Sequence, residues 1–76
     1  MEIIVNGEQP FKAPAPKFCI GQTSAGYTLN YSVDGEHYTA HSVATDANTD
    51  MMVANAIEGM FIKLVGNTDT GVKVIY

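Results

Sequence analysis

The clearest pattern in the chain is an alternation of apolar and polar residues on both sides of Asp34-Gly35. Asp-Gly favours a two-residue type I′ hairpin turn, because both central positions of that turn need positive φ. Pairing through this turn places Tyr31 opposite Tyr38. One face of the hairpin then carries Leu29, Tyr31, Val33, Tyr38 and Ala40, and the other carries Thr28, Asn30, Ser32, His37, Thr39 and His41. An apolar face and a polar face are typical of an antiparallel sheet, so the pattern predicts a hairpin over residues 27–41 with Tyr31 and Tyr38 in the core.

Short apolar runs between turn residues predict the other strands. These runs cover residues 2–5, 18–20, 51–54, 59–65 and 72–76. Asn6-Gly7 is a second hairpin signal, whose return strand should be short or at an edge because Pro10 has no N–H to donate. Together, about seven short strands predict an all-β fold, a small antiparallel β-sandwich or flattened barrel that forms a single domain over residues 1–76.

The run at residues 59–65 is the most hydrophobic strand candidate, and its two faces differ. Met60, Ile62 and Leu64 alternate with a second set that contains Lys63, so the first set is expected in the core. Residues 72–76 are expected to return beside this strand as a final hairpin. Lys63 and Lys73 would then lie on its solvent side.

Composition limits the functions that this chain can serve. A 76-residue domain buries only about 60% of its unfolded surface, and with Cys19 as its single cysteine it has no disulfide to compensate. Self-association would add buried area. The net charge of −4, with four lysines and no arginine, argues against nucleic-acid binding. The first residues lack the basic start of a signal peptide, and no apolar run reaches membrane-spanning length.

None of the chemically competent side chains forms a catalytic arrangement. His37 and His41 would be about 13 Å apart along a strand, too far to share one metal ion. They are interpreted as solvated histidines, with a pH-sensitive partner contact as the alternative. Cys19, between two apolar residues, is expected to be a buried structural thiol. Asp34 and Glu36 flank a tight turn, so they are not expected to act as an acid/base pair.

The spacing Asp46-Ala-Asn48-Thr-Asp50 is similar to the first half of a calcium loop. It lacks the glycine and the distal glutamate of an EF-hand, so a solvated loop is expected there. The sequence thus predicts no enzyme activity, no metal and no cofactor. Tyr27, near a strand end, and Tyr76, the last residue, are expected to be exposed, and they are the candidate interface or ligand residues.

Two segments carry a resemblance to known proteins. Ser32-Val-Asp-Gly-Glu-His-Tyr38 resembles the Ser-x-Asp-Gly-x-x-aromatic hairpin of discoidin-like sandwiches and other sugar-binding or adhesion modules. The stretch from Tyr27 to Gly35, combined with Leu64-Val-Gly-Asn-Thr68, is similar to small virion proteins of tailed bacteriophages, which decorate capsids or form fibre and tail parts. The second resemblance implies a location in the virion or the host cytoplasm.

Two hypotheses remain from the sequence. The first is a non-enzymatic structural protein, a capsid decoration or fibre component whose partners are its own copies and a capsid or tail protein. The alternative is a carbohydrate-binding or adhesion module that uses its tyrosines. Oligomeric mass and glycan binding would distinguish the two hypotheses.

Overall fold

The strands of the protein follow the short apolar runs of its sequence. The computed structural model describes residues 1–44 and 51–76, and within them it contains eight strands and no helix. The strands are β1 (Glu2–Val5), β2 (Phe11–Lys12), β3 (Lys17–Ile20), β4 (Tyr27–Ser32), β5 (Thr39–Ala44), β6 (Met52–Asn55), β7 (Phe61–Val65) and β8 (Val72–Ile75).

The strands form two antiparallel sheets of four. Sheet 1 has the order β1-β8-β3-β6 and sheet 2 the order β2-β7-β4-β5. This confirms the all-β sandwich, with eight strands in the described residues where the sequence indicated about seven. β2 is a two-residue strand at an edge, which agrees with the limit set by Pro10.

The core lies between the inward faces of the two sheets. Its buried apolar residues are Val5, Ala13, Phe18, Ile20, Tyr27, Leu29, Ala54, Ile62, Leu64, Val72 and Val74. On β7, Ile62 and Leu64 are fully buried, as predicted. Met60 precedes the strand and is only half-buried. The alternation with half-buried Lys63 shows that period-2 patterning identified the buried face correctly.

Two of the predicted hairpins do not form. β1 pairs with β8, and β2 pairs with β7 in the other sheet, so the Asn6-Gly7 turn does not join two paired strands. β7 and β8 also belong to different sheets, so the predicted final hairpin is wrong. Lys63 and Lys73 therefore lie on different sheets. In both places the chain crosses from one sheet to the other instead of turning back in the same sheet.

These two crossings meet at one end of the sandwich, where Asn67 ties them together. Its side chain is buried, and its Nδ2 donates to the carbonyl oxygen of Gly7 at 2.8 Å. Its Oδ1 accepts from the amide of Asp69 at 3.2 Å. Gly7 in turn donates its amide to the Asp69 carbonyl at 2.8 Å, and Gly71 donates to the Asn6 side chain at 2.8 Å. Asn6-Gly7 therefore links the loop after β1 to the loop after β7 and does not close a hairpin.

The hairpin of β4 and β5 exists, but its loop is wider than predicted. Tyr31 pairs with Thr39, which leaves six residues, 33–38, between the strands. Tyr31 packs against the core, whereas the ring of Tyr38 lies 4.5 Å from the Nζ of Lys63. Lys63 pairs with Asn30, whose neighbours on β4 point inward, so Tyr38 is on the outer side of sheet 2. The predicted Tyr31–Tyr38 pair and a buried Val33 are therefore wrong, and Val33 is 82% exposed.

Replacement of Leu64 by alanine should lower the free energy of unfolding by about 2–5 kcal/mol, because a fully buried leucine leaves a cavity when it is truncated. Lys63→Ala on the same strand is the control, and it should change stability far less. Urea unfolding of the two variants measures both effects. Equal losses would show that the inward and outward sides of β7 are misassigned.

Asn67→Ala should cost about 1–3 kcal/mol, because it leaves the Gly7 carbonyl and the Asp69 amide without their side-chain partner in a buried site. Thr68→Ala is the matched control, since Thr68 is the exposed neighbour in the same loop. Thermal melts followed by circular dichroism compare the two. A melting temperature for Asn67→Ala as high as that of Thr68→Ala would contradict the role of Asn67.

Candidate ligand-binding groove and exposed sheet face

A groove of about 610 Å³ opens where the loop between β4 and β5 faces the segment after β6. It therefore lies between sheet 2 and sheet 1 at the side formed by their edge strands β5 and β6. Its volume is within the range of about 300–1,000 Å³ that is common for small-molecule sites. The lining residues are Pro16, Tyr31, Ser32, Val33, His37, Thr39, His41, Asn55, Ala56, Ile57 and Met60.

Two parallel rings form the aromatic part of this groove. The rings of Tyr31 and His41 are stacked with centroids 4.4 Å apart and an interplanar angle of 9°. The Tyr31 hydroxyl donates to the carbonyl oxygen of Asn55 at 2.7 Å, which links sheet 2 to sheet 1. Burial raises the pKa of Tyr31, so this hydroxyl stays protonated at neutral pH.

A break in the strand register places His41 beside Tyr31. Asn30 pairs with Ala40 while Leu29 pairs with Ser42, so His41 is the extra residue of a β-bulge. A bulge redirects the side chains of its strand, and the alternation on which the sequence prediction relied ends at this position. His41 was expected on the polar face with His37, and it instead lies against the ring of a core-side tyrosine.

The rim of the groove is a loop that Asp34 and Ser32 hold in shape. The Asp34 Oδ1 accepts from the amides of Glu36 and His37 at 2.8 and 2.9 Å and from the Ser32 hydroxyl at 2.8 Å. Ser32 Oγ accepts from the amide of Gly35 at 2.9 Å. A serine and an aspartate that bind amides further along the chain stabilise a broad turn. This is the physical reason that the Asp-Gly pair does not close a two-residue hairpin.

Gly35 fits this loop because its backbone is left-handed, with φ +80°. A Cβ at this position would also approach the ring of Phe61 to 3.4 Å. The sequence therefore predicted correctly that Gly35 adopts a positive φ. The turn that it forms is a longer loop that packs on β7, and not a two-residue hairpin.

Asp34 also binds the side chain of His37. The Nδ1 of His37 lies 2.7 Å from the Asp34 Oδ2, and both side chains are largely exposed. The hydrogen bonds from the His37 and Glu36 amides, with those of the His37 and Ser32 side chains, hold the pKa of Asp34 far below its usual value of 3.8. The carboxylate is thus ionised at any ordinary pH, and it fixes the ring of His37 at the rim of the groove.

The same cluster bears on the prediction that no metal binds. The ligand atoms of Asp34, Glu36 and His37 all lie within 4.8 Å of one another. However, both carboxylate oxygens of Asp34 already accept hydrogen bonds from the loop, so a cation would have to compete with them. The calcium-like spacing from Asp46 to Asp50 lies outside the described residues.

The two tyrosines chosen from the sequence lie in different environments. Tyr27 was expected to be exposed, but it is 3% exposed and belongs to the core, where its hydroxyl contacts the Met52 Sδ at 3.5 Å. It therefore cannot present its ring to a ligand at the surface. Tyr76 is 39% exposed, and its backbone binds Met1 through two hydrogen bonds. The sequence reasoning missed Tyr31 as a site residue because a bulge has no signal in the apolar pattern.

A second notable surface is the outward side of sheet 1. In the strand register, Ile75 of β8 is next to Cys19 of β3, and Cys19 is next to Val53 of β6. Cys19 is half-buried on this side and not in the core, contrary to expectation. Ile75 and Val53 are 37% and 57% exposed. We call this surface the apolar face, and its members are Ile4, Cys19, Val53 and Ile75.

Comparison with protein-family models, curated proteins and solved structures finds no match to this chain. In the part of the chain that the structure describes, no helix is long and apolar enough to cross a bilayer. The groove and the apolar face are therefore the features from which a function can be inferred.

The stability that the Asp34 carboxylate adds should be present above about pH 4 and should be lost as the pH falls, because the unfolded chain takes up the proton first. The melting temperature of the wild type should thus fall more steeply between about pH 5 and pH 2 than that of Asp34→Asn. Hydrogen bonds from the side chain and amide of Ser24 also lower the pKa of Asp69, which titrates in both proteins. The difference between the two curves therefore isolates Asp34, and parallel curves would contradict its role.

Proposed function

We propose that this domain is a non-enzymatic structural protein that associates with copies of itself through the apolar face of sheet 1. The observation that supports this proposal is the exposure of large apolar side chains on a sheet side that should face water. A sandwich buries the inward side of each sheet, and the outward side is normally polar. Exposed contiguous apolar surface on a soluble domain marks an interaction site.

Sheet 2 provides the internal comparison. Its outward side includes Phe61 and Val65 as well as polar residues, but these two side chains are only half-buried and not exposed, and the Lys12 ammonium lies over the Phe61 ring. Sheet 1 carries Ile4, at 53% exposure, and Val53 at the corresponding outward positions. The two sheets share one core, so core packing does not explain the difference between their outer sides. Association through sheet 1 does explain it.

The charges on the apolar face suit a second copy of the same chain. Glu2 is next to Ile75 in the register, and Lys73 on the inner strand β8 is next to Ile4, so both signs of charge lie among the apolar residues. A two-fold arrangement can therefore place opposite charges against each other. The molecule measures 29 × 26 × 18 Å, and a broad side of this size approaches the ~800 Å² per partner of a stable interface.

The resemblance to small virion proteins of tailed bacteriophages suggests the setting, a capsid decoration or fibre protein. Such proteins act as repeated copies on a larger assembly, and their role needs no catalytic residues. Capsid and portal genes next to the gene for this chain would support this setting. Purified particles of that phage without the protein would contradict it.

Val53→Lys should shift the protein towards the monomer, because it places a charge within the apolar face. Val53 is largely exposed in one copy, so the substitution should leave the fold intact. Sedimentation equilibrium at several protein concentrations gives the mass, and the wild type should form dimers or larger species. Val33→Lys is the control, since Val33 is exposed on the groove rim, away from the apolar face.

A monomeric wild type at the highest concentration would refute self-association. Equal dissociation of Val53→Lys and Val33→Lys would show that the contact lies elsewhere. The melting temperature of the wild type should also rise with protein concentration, whereas that of Val53→Lys should not.

A further inference from the structure

We propose that the groove beside Tyr31 and His41 binds a neutral saccharide, with the aromatic pair against the C–H face of a sugar ring. This site is separate from the apolar face, and the inference does not depend on self-association. It assigns a ligand-binding role to groove residues that take no part in the proposed self-association.

The first argument is the charge of the lining. None of the described residues that line the groove is an aspartate, glutamate, lysine or arginine. The carboxylates of Asp34, Glu36 and Glu58 are next in sequence to lining residues but do not line the groove, and that of Asp34 is occupied by hydrogen bonds within the loop. A ligand with a formal charge would therefore lose water without gaining an opposite charge. The groove suits a neutral ligand.

The second argument is the aromatic pair. One face of a pyranose ring consists mainly of C–H groups, which pack on the flat side of an aromatic ring. Tyr31 is held by its bond to Asn55, and His41 is held by the bulge and by the stack itself. Rings that are already fixed lose little conformational entropy when a ligand binds. The pair therefore offers a rigid surface for a sugar ring.

The third argument is the set of polar groups around the rings. Asp34 engages the Nδ1 of His37, so Nε2 is the ring nitrogen that remains for a ligand. The hydroxyl of Thr39 also belongs to an exposed lining residue. These are groups that both donate and accept hydrogen bonds, as sugar hydroxyls require. An apolar surface with a few polar groups beside it is the usual form of a small-molecule site.

The test is an NMR titration of the labelled protein with neutral probes. The probes are the methyl glycosides of glucose, galactose and mannose, N-acetylglucosamine, and the β-linked disaccharides of these sugars. At least one probe should give saturable shifts at His37, Thr39 and His41. His41→Ala should weaken this binding about tenfold, a typical loss for an aromatic contact together with its buried area. His41→Phe keeps a ring and should retain most of the affinity.

Val53→Lys separates this proposal from the assembly proposal. It should bind the same saccharide with unchanged affinity while it loses self-association, and His41→Ala should do the opposite. His41 is exposed, so a folded spectrum is expected for His41→Ala, and Thr39→Ala provides a second groove variant.

Several results would overturn the proposal. No response to any neutral probe would do so, as would shifts that appear away from the groove or persist unchanged in His41→Ala. Binding of only sialylated or phosphorylated sugars would show that the ligand is an anion. Binding of an extended peptide at the groove, without any saccharide, would assign it to a protein partner.

Discussion

The two loops in which the chain crosses between the sheets, after β1 and after β7, are hydrogen-bonded to each other at one end of the sandwich. The rest of the fold depends on this constraint. β1 and β8 pair in sheet 1, while β2 and β7 pair in sheet 2, so the chain changes sheet twice at the same place. Asn67 supplies the buried bond between the two crossings, and the Glu8 carboxylate adds an exposed one by accepting from the Gly66 amide at 2.6 Å. Because a buried amide without a partner is costly, this end tolerates only one arrangement, which fixes how the sheets face each other.

Elsewhere the sheets are joined by the bond from Tyr31 to the carbonyl of Asn55. Strand β6 connects the two proposed sites, because the side chain of Val53 lies on the apolar face and the backbone carbonyl of Asn55, two residues later, accepts the Tyr31 hydrogen bond at the groove. The two residues are on one edge strand, so a copy bound to the apolar face would border the groove. An assembly of this kind would present several grooves side by side, and multiple weak sugar contacts then add to a strong attachment.

The sequence predicted the features that follow from a regular alternation of apolar and polar residues along a strand. It missed the features that follow from a shift in strand register. Ile62 and Leu64 were placed correctly, because period 2 holds throughout β7. The pairing of Tyr31 was wrong, because Ser32 and Asp34 bind amides within the loop and widen it. Tyr27, expected at the surface, begins β4 and points inward. The stack of Tyr31 on His41 arises from a bulge, and neither apolar pattern nor turn residues indicate a bulge at that position.

The pairing of β1 with β8 has a consequence for how the protein is made. Of these eight strands, β1 leaves the ribosome first and β8 last, so sheet 1 cannot close until the strands between them have been synthesised. Of the eight strands, only β4 and β5 pair with their immediate neighbour in the described chain. Folds dominated by such distant pairings acquire their structure in about milliseconds to seconds. During that interval the unpaired Ile3 and Val5 remain open to other nascent chains, and crowded synthesis of many copies would favour misassembly before the native sandwich covers them.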